Sequence, residues 1–151
     1  MLLQLRKDGW TSLEADYVFN RPLEQLPQVT TTAQRVPRCP GAVELLLNAV
    51  TGVAGYVLVG VRGQGLCALL ADLADGGTIG SALQLQHGEA AADAIAGHAV
   101  EDADPVIGNF IARRVSWRGV SDLRALAGAE VFVRLVAADA SIFSVTLACA
   151  S

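Results

Sequence analysis

Aromatic residues are scarce in this chain, only 5% of 151 residues. Proteins that hold sugars stack them on aromatic rings, so the platforms for such a role reduce to Trp10, Tyr17, Tyr56 and Trp117. No apolar run approaches the length of a membrane span. The start, MLLQLRKDGW, meets charge too early for a secretory leader. These absences predict no membrane partner and a cytoplasmic protein, or one shorn of its leader. Cysteine is sparse and scattered: Cys39, Cys67 and Cys149 are odd in number and lack CxxC spacing. Zinc sites need clustered ligands and disulfide frameworks need pairs, so free thiols are expected. The two histidines, His87 and His98, have no His or Cys at ligand spacing. Positive charge is also short, with 11 Lys and Arg against 15 Asp and Glu. Nucleic-acid binding rests on basic contacts to phosphate, so that class is excluded. Arg113, Arg114, Arg118 and Arg124 then read as the solvated face of a strand and the turn after it.

What the chain has in quantity is apolar residues, 52% of the total. Alanine supplies part of the excess. The rest predicts apolar surface covered by a partner, either a second copy or a separately encoded protein. The length suits a single domain, residues 1–151, and a chain of this size buries about two-thirds of its surface on folding.

Short strand-like segments broken by Gly, Pro and Asp dominate the pattern. Asp8–Gly9 sits between Gln4–Arg6 and Thr11–Ala15, a hairpin signal. Val29–Val36 is β-branched, and Val43–Val50 is apolar enough for a central strand. Later segments alternate: Leu83 and Leu85; Val115 and Trp117; Val131, Val133 and Leu135; Phe143, Val145 and Leu147. A period of two means half-buried strands, and many of them mean two packed layers. The predicted fold is therefore all-β, a two-layer antiparallel β-sandwich with one or two short helical turns. One such turn is expected after Ser121–Asp122, ending at Gly128; Leu66–Ala74 is the other candidate.

Chemistry-bearing patterns are few. Gly63, Gly65 and Ala68 follow a strand-like run with dinucleotide-turn spacing, and Glu89 stands where a ribose-binding acid belongs. No further strand–helix alternation follows, so a plain glycine turn is the preferred reading and no cofactor is assigned. Glu101, Asp102 and Asp104 offer the oxygen ligands calcium favours, without the length or closing glutamate of a calcium loop. An acidic solvated turn is the preferred reading, with a structural calcium as the alternative. There is no GxSxG nucleophile elbow and no carboxylate pair framed by apolar residues. Trp117 shares an apolar face with Val115 and is expected in the core. Trp10, beside the Asp8–Gly9 turn, has the better claim to exposure.

Three stretches, taken in order, carry a resemblance: LRKDGWTSLEA, VELLLNAVTG, and AIAGHAVEDADPVIGNFIARRVSWRGVSDLRALAGAEVFVRLVAADASIFSVTL. The order resembles the C-terminal β-sandwich of β-fructosidase-like glycoside hydrolases of levanase and invertase type, and of their bacterial relatives. In that family a five-bladed propeller carries the catalytic carboxylates and a concanavalin-like sandwich braces it. The match has an insertion within about 53–79. Asn109 replaces a usual Asp, Phe143 replaces a usual Tyr, and no propeller motif has a counterpart. The resemblance therefore implies a jelly-roll accessory module and no catalytic residue. The expected role is self-association or bracing of a separately encoded propeller. The alternative is a free-standing carbohydrate-binding module using Trp10, Tyr17 and Tyr56.

Overall fold

The computed structural model describes residues 12–16, 21–63 and 95–150. Within these residues the strands are β1 (Leu13–Ala15), β2 (Gln28–Thr30), β3 (Gln34–Arg35), β4 (Val43–Gly63), β5 (Asn109–Arg114) and β6 (Glu130–Cys149). Three single 3-10 turns, at Leu23–Gln25, Val100–Asp102 and Arg124–Leu126, are the helical content among them. The all-β, antiparallel expectation holds.

Two long strands dominate. β4 and β6 run antiparallel along their whole lengths, from Val43 opposite Cys149 to Gly63 opposite Val131. β5 flanks β4, while β1, β2 and β3 take successive stretches of the other edge of β6. The described strands thus belong to one continuous sheet rather than to two separate sheets.

The ribbon doubles back at a large bulge. Thr51 pairs with Ala140 and Tyr56 with Ala138, so Gly52–Val53–Ala54–Gly55 face the single residue Asp139. Asp139 adopts a left-handed φ of 46°. A side chain at Gly55 would overlap the carbonyl oxygen of Asp139, so only glycine fits there. The consequence is visible across the fold. Val115 N–H donates to Leu45 O at 2.9 Å, and the Trp117 indole donates to Val59 O at 2.7 Å. Two residues of chain thus span points that a straight strand would hold about 46 Å apart.

The core fills the inside of this fold. Leu45, Leu47 and Ala49 from the first half of β4 meet Val57, Val59 and Val61 from the second. Val131, Val133 and Leu135 join them, with Trp117, Val115 and Leu123 closing the open side. Trp117 is 1% exposed, as its alternation with Val115 predicts. Yet it stands past the end of β5, in a tight turn where it pairs with Val120 across Arg118–Gly119. Both central residues have positive φ, 49° and 80°, as a type I′ turn requires. A smaller cluster of Leu26, Val100, Val136 and Ala138 sits apart from this main core.

Three expectations need correction. Phe143 does not continue the core-facing row of Val145 and Leu147. Asn48 pairs with Ser144 and Ala49 with Ile142, so Phe143 is an extra residue that shifts the alternation and brings Ile142 inside. Val29–Val36 is not one strand but two short ones, β2 and β3, around Thr31–Ala33. Cys39 and Cys149 are not free thiols. They form a disulfide with Cα atoms 5.6 Å apart, closing a separation of 110 residues. Pairing Val43 with Cys149 brings the end of β6 beside the approach to β4, a proximity that spacing along the chain conceals. The helical turn after Asp122 does form. Asp122 Oδ1 accepts the N–H groups of Arg124 and Val43, and Gly128 follows with φ of 82°.

Of the 53–79 stretch, residues 53–63 belong to β4, and 64–79 lie outside the described residues. Gln4–Arg6, Leu66–Ala74, and Leu83 with Leu85 also lie outside them.

Two outcomes follow from this geometry. Gly55→Ala forces the Asp139 backbone aside and should cost about 2–4 kcal/mol in urea unfolding, whereas exposed Ala54→Gly should cost under about 1 kcal/mol. Replacing Cys39 and Cys149 together by Ala should lower stability by about 2–5 kcal/mol, measured against the oxidised chain.

Candidate functional site

The acidic turn gathers several polar groups into one bonded cluster. The 3-10 turn Val100–Asp102 leads into Asp104, which lies alongside Ser116 through a backbone bond from Asp104 N–H to Ser116 O. Asp104 Oδ2 accepts the Ser116 hydroxyl at 2.5 Å and the Gly119 N–H at 2.8 Å. Asp102 pairs with the Arg118 guanidinium at 2.5 Å, and its carbonyl accepts the Arg118 N–H at 3.1 Å. Both carboxylates thus grip the Arg118–Gly119 turn that plants Trp117 in the core. The His98 ring meets Trp117 edge-on at 4.9 Å. Glu101 is exposed to solvent.

Electrostatics agree with a structural use. The Ser116 hydroxyl, then the Gly119 N–H, hold the Asp104 carboxyl below its ordinary value of 3.8. The N–H groups of Arg124 and then Val43 do the same for Asp122. Glu14 is lowered by the hydroxyls of Ser12 and Ser141. A general acid at neutral pH requires a shift in the opposite direction. Among the described residues, no group of three or more His, Cys, Asp or Glu is placed to hold a metal ion. Glu101, Asp102 and Asp104 are therefore not gathered into one ligand set, and two of the three carboxylates are committed to local bonds.

The other sequence candidates are dispersed. Tyr56 is half-buried and, like Leu23 and Leu58, packs on the small cluster around Leu26 and Val136. Trp10 and Tyr17 lie outside the described residues, as do Gly65, Ala68 and Glu89. Gly63 closes β4 opposite Val131. Arg113, Arg114, Arg118 and Arg124 are exposed as expected, and three of these four have acidic partners: Arg114 with Glu44, Arg118 with Asp102, and Arg124 with Asp122. Arg113 lies over the Phe110 ring at 5.0 Å.

Sequence reasoning missed a cleft. β1 and β2 leave a gap along the edge of β6, and the core shows through it. The opening is about 130 Å³, floored by Leu135, Ala137 and Ile142 and rimmed by Leu13, Pro27 and Val29. Leu13 is 53% exposed and Val29 37%. Small-molecule pockets usually start near 300 Å³, so this one has room for an apolar side chain or a group of similar size. The exposed apolar residues of β1 and β2 were its sequence signal, but strands three residues long carry too little alternation to read.

No protein-family model, no curated protein and no solved structure matches this chain. No helix among the described residues is long and apolar enough to cross a membrane.

The Asp104 tie has a pH signature. Its folded pKa is depressed, so the unfolded chain binds the proton more readily. The stabilisation is present above 3.8 and is lost as pH falls through the lower, folded value. Asp104→Asn should therefore flatten the acid limb of stability below pH 3.8 relative to the unaltered chain, read as Tm against pH.

Proposed function

We propose that this chain is a non-catalytic β-sheet accessory module that works by packing against another protein surface. The observation that carries the reading is the cleft between β1 and β2, where Leu13 and Val29 stand exposed over the floor of the core. It is sized for a protruding apolar side chain. The reading is supported by the direction of the carboxylate shifts, all toward permanent anions held in hydrogen bonds. It is supported too by the resemblance to the C-terminal module of β-fructosidase-like hydrolases, whose task is bracing.

The partner we propose is a second copy of this chain, with a separately encoded propeller as the outcome that replaces it. The site of action is an oxidising compartment, because the Cys39–Cys149 disulfide persists where thiols are not kept reduced.

Light scattering at micromolar concentration should give a mass above that of one chain. Leu13→Asp with Val29→Asp should return it to the monomer with an unchanged circular dichroism spectrum. A monomeric unaltered chain that binds fructan, with binding lost in Trp10→Ala, would replace the reading with a carbohydrate-binding module. Sugar release by the purified chain would end it.

A further inference from the structure

The cross-link carries a pairing problem. Cys39 lies 28 residues from Cys67 and 110 from Cys149. The chance that two points of an unfolded chain meet falls with about the −3/2 power of their separation. An unfolded chain therefore brings Cys39 to Cys67 about eight times more often than to Cys149. Cys67 also lies closer to Cys149 than Cys39 does. Chain statistics thus favour the wrong bonds.

The folded sheet reverses that preference. Val43 stands opposite Cys149, and Ala150 N–H donates to Ala42 O at 2.9 Å. On the other side of the loop, Val36 N–H donates to Ala129 O and Gly128 N–H to Val36 O, each at 2.8 Å. Leu123 N–H and Asp122 Oδ1 both bond the backbone of Val43. These bonds anchor the loop holding Cys39 at both ends without help from the disulfide. Cys149 is exposed, whereas Cys39 is half-buried against the core.

We propose that the disulfide is installed after the sheet has formed, by exchange with an oxidised dithiol–disulfide oxidoreductase that enters at Cys149. The Cys149 thiolate attacks one sulfur of the oxidoreductase disulfide. That S–S bond breaks, a mixed disulfide forms at Cys149, and the second sulfur leaves as a thiolate. The Cys39 thiolate then attacks the Cys149 sulfur and expels the oxidoreductase. Two cysteine thiols are oxidised, one disulfide of the partner is reduced to two thiols, and the two protons pass to them. Cys67 remains outside the bond.

The test uses the full reduced chain and glutathione disulfide as the oxidant, in buffer and in concentrated urea, with pairings mapped by mass spectrometry of unreduced digests. In buffer the reduced chain should show a β-sheet spectrum and yield Cys39–Cys149. In urea Cys39–Cys67 should exceed the native pair several-fold. A reduced chain without sheet structure, or a native pair that dominates in urea, would overturn the order of events. Two single-cysteine chains locate the entry point: C39S/C67S retains Cys149, and C67S/C149S retains Cys39. Glutathione should add to Cys149 about tenfold faster than to Cys39 in buffer, with the difference lost in urea. Faster addition at Cys39 would overturn entry at Cys149.

Discussion

The doubling back of the β4–β6 ribbon is the constraint on which everything else in this structure depends. Four residues, Gly52–Gly55, must be accommodated against one, Asp139. Once the ribbon turns there, the inner rows of both halves face each other, and Val57, Val59 and Val61 bury against the same core as Leu45 and Leu47. Without the turn, those residues would lie along one face of a straight ribbon and have nothing to meet. The hydrogen bonds from Val115 to Leu45 and from Trp117 to Val59 then tie the halves together from the side.

The polar clusters serve that closure. Asp102 and Asp104 hold the Arg118–Gly119 turn, and the turn sets the indole where it reaches Val59. Asp122 performs a similar service at the start of β4, accepting from Val43 and Arg124 at once. Side chains that look like ligands in the sequence are thus anchors in the fold. A carboxylate stabilised as an anion by two donors is a good anchor and a poor proton donor.

Much of the architecture was legible from alternation alone. Val131, Val133 and Leu135 declare a strand with one buried face, Val43–Val50 a central one, and Val115 with Trp117 a pair that goes inside. The Asp122 turn was legible because its cap and its terminating Gly128 are local chemistry. What stayed hidden was non-local. The extra residue at Phe143 is invisible until Asn48 and Ala49 are known to stand opposite it. The Cys39–Cys149 bond depends on strand register across 110 residues. The cleft exists because two short strands share one edge of β6, and no local pattern encodes a shared edge.

The β4–β6 ladder also has a kinetic consequence. Its closest pair, Gly63 with Val131, is already 68 positions apart in the chain, and its farthest, Val43 with Cys149, is 106. Local contacts can do little to start such a sheet, so the search for register must cross long loops before any burial rewards it. While that search runs, VELLLNAVTGVAGYVLVGV stands as an unmatched apolar strand, open to pairing with its own kind. The exposure of this strand is therefore greatest on the way to the native state, before β6 has found its register against β4.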